Sequence, residues 1–276
     1  MTAAEFLQPL RARVHPLWRM RRSRFFRWCQ GVFDFPVARR TGRVTHFTYL
    51  LRDFGARIRS SDPEQRTRHA LLTLFGRAAC DFFVDVGANV GAYSWCIANA
   101  HPTAKALLFE PDERNQRLLS RSIARSGLDR FMVCPVALAD RSGTARFIVD
   151  DASGAVGSLI DQRGGHYNLQ DSYRLTVEAE VSTRCLDDYF AELAGHRVLM
   201  KVDVEGAEAL VFRGAAHVLR EVRPLLVFEA FGTDALELLR VAGYHVRPVG
   251  ENSNYVGVAH ADVGLLDGLD LPPDCP

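Results

Sequence analysis

The sequence predicts an α/β fold, a mostly parallel sheet with helices on both faces, and three observations carry that expectation. Short apolar runs of strand length alternate with amphipathic stretches of helix length after residue 60. A glycine turn follows the first of these runs directly, in FFVDVGANVGAYS, Phe82 to Ser94. At 276 residues and 47% apolar, the chain can bury one full core and carry a small appendage.

The elements follow in order. Residues 1–60 are irregular by pattern and helical in part, with turn signals at Phe35-Pro36 and Thr41-Gly42. Ser61-Asp62-Pro63-Glu64 offers a capping side chain, then proline and an acid for a first turn, so residues 63–76 read as a helix ending at Gly76. Asp81–Val86 is a buried strand and Ala92–Ala100 the first crossover helix. Ala106–Glu110 is the next strand, and Asp112–Ser126 a helix closed by Gly127. Strands follow at Phe131–Val136 and Ala145–Val149, then a glycine-rich loop, Asp150–Asp171. A strand at Leu175–Val181, a short helix at Leu186–Leu193 and a buried strand at Val198–Val204 come next. Glu208–Leu219 is helical, Pro224–Phe228 a buried strand, and Ala235–Val241 a helix. Tyr244–Val249 and Tyr255–Val258 form a closing hairpin. The domains expected are a basic, partly helical extension, 1–60, and one α/β domain, 61–276.

Charge separates the same two regions. The net charge is +1, yet residues 1–59 hold 13 Arg and 3 acidic residues. In Arg19–Gln30 the arginines interleave with Phe25, Phe26 and Trp28. A basic aromatic helix of this kind packs on its own domain, docks on anionic membrane lipid, or touches a polyanion. Nucleic acid is the least favoured of these partners. No run approaches the roughly 20 apolar residues of a membrane-spanning helix. The six cysteines form no CxxC pair, which argues against a zinc cluster and for reduced thiols in a cytoplasmic protein.

The glycine turn reads Gly87-Ala88-Asn89-Val90-Gly91 and so departs from the G-x-G-x-x-G of dinucleotide sites. Glycines there let the backbone turn sharply and leave room for a ligand against it. Asp85 stands two residues before the first glycine, where it would repel a pyrophosphate and attract a cation. S-adenosylmethionine carries a sulfonium and an ammonium and fits that charge. Asp85, Gly87, Ala88, Asn89 and Gly91 are therefore expected to line its methionine moiety. Glu110 ends the second strand, where an acid accepts hydrogen bonds from ribose hydroxyls, and Pro111 fixes the chain's exit. Ala137 and Leu138, after the third strand, are candidates for the adenine wall.

A second constellation lies in LMKVDVEGAEALVFRGA, Leu199 to Ala215. Lys201, Asp203 and Glu205 recur with period two and should point to one side of a strand. Charges at such a place are costly unless paired or functional. Glu208 follows, and Glu229 ends the next strand. The acids either form an internal ion-pair network with Lys201 or serve as the base of an acceptor site. Asp203 and Glu205 are the first candidates for that base, with Glu229 third. No metal site is predicted, although acids alone could take a hard cation. In the loop Asp150–Asp171, Ser158, His166 and Tyr167 are candidates for contact with a hydroxylated substrate.

FVDVGANVGAYS, FEPDERN, VALADRSGTARF, TRCLDDYF, LMKVDVEGAEALVFRGA and RPLLVFEAF, in this order, resemble the FkbM-type methyltransferases over roughly residues 80–260. The resemblance implies the class I methyltransferase (Rossmann-like) fold, a seven-stranded sheet with one reversed strand. It implies S-adenosylmethionine as cofactor and a hydroxyl acceptor on a sugar, glycan, lipid-linked glycan or polyketide. N- or C-methylation on the same fold, or cofactor binding without turnover, are the alternatives. Residues 1–60 lie outside the resemblance.

Overall fold

A computed structural model describes residues 24–51, 64–150, 157–159 and 176–271. The main sheet has seven strands. β3 (Phe82–Val86), β4 (Lys105–Phe109) and β5 (Phe131–Cys134) form one half; β10 (Val198–Val202), β11 (Leu225–Glu229), β12 (Tyr244–Pro248) and β13 (Asn254–Ala259) form the other. Their spatial order is β5-β4-β3-β10-β11-β13-β12. β3, β4, β5, β10 and β11 run parallel, and β13 is antiparallel to both β11 and β12. The order reverses between β3 and β10, so their carboxyl ends open a crevice where such sheets bind ligands.

Both faces are covered, as the continuous apolar strands require. On one side Phe83, Leu199 and Val227 pack under α2 (Gln65–Arg77), α3 (Ala92–Ala100) and α4 (Glu113–Ser126), which supply Phe75, Trp95 and Leu119. On the other, Val84, Met200 and Phe228 meet α5 (Phe190–Leu193), α6 (Glu208–Arg213), α7 (Ala216–Glu221) and α8 (Thr233–Val241). The helix over Asp112–Ser126 is closed by Gly127 as expected, in the left-handed conformation, and at its start the Asp112 side chain accepts from Arg114 N at 2.8 Å.

Four expectations change. The helix expected over Glu208–Leu219 is two helices, broken at Gly214. A Cβ there would lie 2.0 Å from Ala139 O, so the close approach of that loop sets the break. Glu64 is the N-cap residue of α2 and makes no side-chain cap, its carboxylate being engaged elsewhere. Residues 61–63 of the expected start lie outside the described residues. The third change is in the loop Asp150–Asp171, which contains β8 (Gly157–Leu159). This strand edges a second sheet, β6-β9-β7-β8, with β6 (Ala137–Leu138), β7 (Gly143–Asp150) and β9 (Thr176–Arg184). That sheet's apolar side, Phe147, Leu159 and Val181, packs with Ala207, just past the second acidic constellation.

The fourth concerns the extension. It holds a helix, α1 (Arg24–Phe33), followed by a β-hairpin of β1 (Pro36–Thr41) and β2 (Val44–Tyr49). β2 is stitched to α4: Phe47 N donates to Ser122 Oγ at 3.0 Å and Thr45 N to Ser126 Oγ at 2.9 Å. Val44 is fully buried in the main core. No helix among the described residues is long and apolar enough to cross a membrane. Cys80 and Cys134 are buried free thiols, pushed up to about 12 and about 11 chiefly by burial.

Candidate active site

The glycine turn closes on the chain itself. Gly87 and Gly91 take φ of +77° and +84°, which glycine adopts without penalty. A Cβ on Gly87 would sit 2.0 Å from Asp203 O, and one on Gly91 2.4 Å from the Trp95 ring. The space expected for a ligand at these two Cα atoms is thus filled by the β10 loop and by Trp95. The glycines are needed to bring the turn against β10. Asn89, between them, has φ of +51° and presents its N–H to Glu110 Oε2 at 2.7 Å.

Glu110 is buried where β4 ends. Its other oxygen accepts from Asp112 N at 2.8 Å. Each carboxylate oxygen has two lone pairs, so both retain capacity for a further donor. Burial pushes its pKa up to about 7, against the pull of the two backbone donors. Pro111 follows and leads into the cap of α4. Ala137 and Leu138 are both buried: Leu138 lies within the main core, and Ala137 faces the small sheet's core.

Asp85 is 1% exposed. Ser94 Oγ donates to its Oδ2 at 2.6 Å, while Oδ1 has no hydrogen-bond partner among the described residues. Burial raises its proton affinity; the neighbouring Lys201 and the Ser94 bond oppose that rise. Lys201 is paired in register with Asp85 on the adjacent strand. Its Nζ bonds Asp203 Oδ2 at 2.8 Å and lies 4.8 Å from the centre of the Tyr93 ring. Burial opposes the ammonium's charge, but Asp203 and Asp85 outweigh it and hold Lys201 above its usual pKa. Tyr93 in turn donates its hydroxyl to Glu64 Oε2 at 2.9 Å.

Period two does not describe the acids as expected, because β10 ends at Val202. Asp203 and Glu205 stand in the following loop, where Glu205 takes φ of +55°, an uncommon conformation for a residue with a side chain. That turn still brings the acids together. One oxygen each of Asp203, Glu205 and Glu229 lies within 4.8 Å of the others. Burial, then the proximity of Asp203, drives Glu205 and Glu229 well above the usual carboxylate range. Glu208 is buried beside them and accepts from Gly206 N at 3.0 Å. Ser158, on β8, donates to the backbone carbonyl of Glu205 at 2.8 Å, so its hydroxyl supports the loop. His166 and Tyr167 lie outside the described residues.

The family follows from comparison at this point. The profile of the methyltransferase FkbM domain matches residues 85–246, from the acid of β3 to the second residue after β12 begins. The chain belongs to the FkbM methyltransferase family. Two curated relatives, methyltransferase sdnD of Sordaria araneosa and methyltransferase 1 of Beauveria bassiana (strain ARSEF 2860), are each 27% identical to it. The matches cover 48% of this chain and 60% and 57% of those relatives. Among solved structures, a putative caffeoyl-CoA O-methyltransferase from Staphylococcus aureus aligns over 76% of this chain and 90% of its own, at TM-score 0.42 and 8% identity. A methyltransferase from Geobacter sulfurreducens aligns over 74% and 83%, at TM-score 0.40 and 16% identity. The FkbM match spans both constellations, the glycine turn and the acids after β10.

Sequence reasoning missed Glu64, Tyr93 and Ser94, the groups around Lys201 and Asp85. Tyr93 and Ser94 are in the glycine-turn motif itself, two and three residues past Gly91. Lys201 carried a further signal: the chain has only two lysines, at 105 and 201, among 34 basic residues. A compact ammonium suits a slot between two carboxylates under an aromatic ring better than a planar guanidinium.

Proposed function

We propose that this FkbM-family chain is an S-adenosylmethionine-dependent O-methyltransferase acting on a hydroxyl of a sugar, glycan, lipid-linked glycan or related small molecule. The observation that carries the proposal is the convergence of Asp203, Glu205 and Glu229 beside a buried Lys201, at the carboxyl ends of β10 and β11. The acids that flank the glycine turn suit the cofactor. Asp85 has an unpartnered buried oxygen, and Glu110 keeps lone pairs for ribose hydroxyls.

When bound, S-adenosylmethionine supplies a methyl carbon activated by its sulfonium. The chain must hold an acceptor hydroxyl in line with that carbon and take its proton. An alcohol is a weak nucleophile, so a base with raised proton affinity is favoured at neutral pH. Lys201 compensates Asp203 and fixes it as the anchored acid of the three. Burial and the proximity of Asp203 raise Glu229's hold on its proton. Glu205 is then the acid left to receive the acceptor's proton. A network serving only structure would not need three acids converging at an open strand end.

The test is Glu205→Gln, which keeps shape and removes the base. Transfer to a hydroxyl acceptor should fall by about 10²–10⁴-fold while S-adenosylmethionine still raises the melting temperature. Unchanged transfer would reject Glu205 as base, and loss of the thermal shift would reject the split of roles. The same assay with EDTA should leave the rate within twofold. Loss on chelation with recovery on added Mg²⁺ would replace the base with a bound cation.

A further inference from the structure

We propose that α1 and the hairpin beside it form a docking surface for anionic membrane lipid. Among the described residues, large apolar side chains are exposed at seven positions, and five lie between residues 25 and 35. Phe25, Trp28 and Val32 are 64%, 59% and 57% exposed and recur at helical spacing along one stripe. Phe33 and Phe35 continue the patch around the helix end. Trp28 stacks on Phe25 at 6.1 Å and meets Phe33 edge-on at 6.0 Å, so the rings form one continuous apolar surface.

A ten-residue helix is marginal in water, and an apolar stripe left open makes it more so. Something apolar stabilises it, and charge selects what. The hairpin next to α1 exposes Arg39, Arg40 and Arg43. Residues 1–59 carry 13 Arg, no Lys and only 3 acidic residues. Arginine binds phosphate in two-pronged fashion. Rings and an aliphatic side chain for the acyl boundary, followed in the chain by a hairpin that exposes guanidinium groups for the headgroups, are the composition of an interfacial segment. A second copy of the chain would bring the same positive surface against itself, which disfavours a symmetric dimer through this face. Val32 in the stripe has no ring for a base to stack on, which disfavours single-stranded nucleic acid.

The full chain should sediment with vesicles containing phosphatidylglycerol and not with phosphatidylcholine alone. Binding should weaken by about tenfold between 50 mM and 500 mM salt, as screening predicts. The triple variant Phe25→Ser, Trp28→Ser, Val32→Ser should lose the binding by at least about tenfold, since its apolar anchor is gone. Its thermal shift with S-adenosylmethionine should stay that of the parent, showing the fold intact. Three outcomes overturn the inference: no binding to anionic vesicles, equal binding by parent and variant, or a parent dimer in light scattering that the variant dissolves without any vesicle binding. None depends on which acceptor the enzyme methylates.

Discussion

Two acid-bearing loops face each other across the crevice, and they hold their acids by opposite means. Glu110, at the end of β4, is buried but fed by two backbone donors, Asn89 N and Asp112 N. Glu205 and Glu229 are less buried but face one another and Asp203. The first loop suits steady recognition, since its partners do not change with protonation. The second suits proton transfer, since each acid's affinity for a proton depends on its neighbours. On the function proposed above, one sheet end would support binding and chemistry side by side.

Removing the cation between Asp85 and Asp203 should have the largest effect. Lys201→Met leaves Asp85 and Asp203 without their partner and should destabilise the fold by about 3–5 kcal/mol, read by denaturant unfolding. A loss below about 1 kcal/mol would mean that Lys201 does not carry the charge balance of these two acids. Lys201→Arg should also be destabilising, because the slot is shaped for a point charge.

The pH dependence comes next, and its sign is set by the raised carboxylates. Glu110, Glu205 and Glu229 all bind protons more tightly in the folded chain than unfolded. Their contribution to stability is therefore full below the ordinary carboxylate range and lost as pH rises through neutrality and above. The melting temperature at pH 9 should be about 3–8 °C below that at pH 6. Transfer should move the other way, rising with pH as Glu205 ionises. Glu205→Gln should reduce the thermal loss at pH 9, and equal loss in both proteins would place the effect on Glu110 and Glu229.

Gly87→Ala tests the seam between the loops. Its methyl group would meet Asp203 O and its φ is positive, so a cost of about 1–3 kcal/mol is expected, with weakened cofactor binding in calorimetry. Tyr93→Phe should have the smallest effect. It keeps the ring over Lys201, loses the bond to Glu64, and should cost about 1 kcal/mol in thermal unfolding.

Much of this was legible because the signals are local. The strand-turn-helix around Gly87, the stop of α4 at Gly127, and the closing hairpin are each written in one short stretch of chain. Their order along the chain then implied the sheet. The acids after β10 were legible as a group, but their geometry was not. Period two assumed a strand through Glu205, whereas the strand stops at Val202 and a left-handed turn gathers the acids instead. The break at Gly214 depends on Ala139, and Glu64 finds Tyr93 across 29 residues. Pattern along the chain does not encode such meetings. The hairpin at 36–49 was missed because β1 reads PVARRT, with little of the apolar alternation that marks a strand.

The serine stitches between β2 and α4 bear on how this protein should be handled. A shortened version beginning near residue 60 would strip Phe47 and Thr45 from Ser122 and Ser126 and uncover the floor on which Val44 rests. Those who trim the chain for crystallisation would do better to cut ahead of Pro36, keeping the clasp.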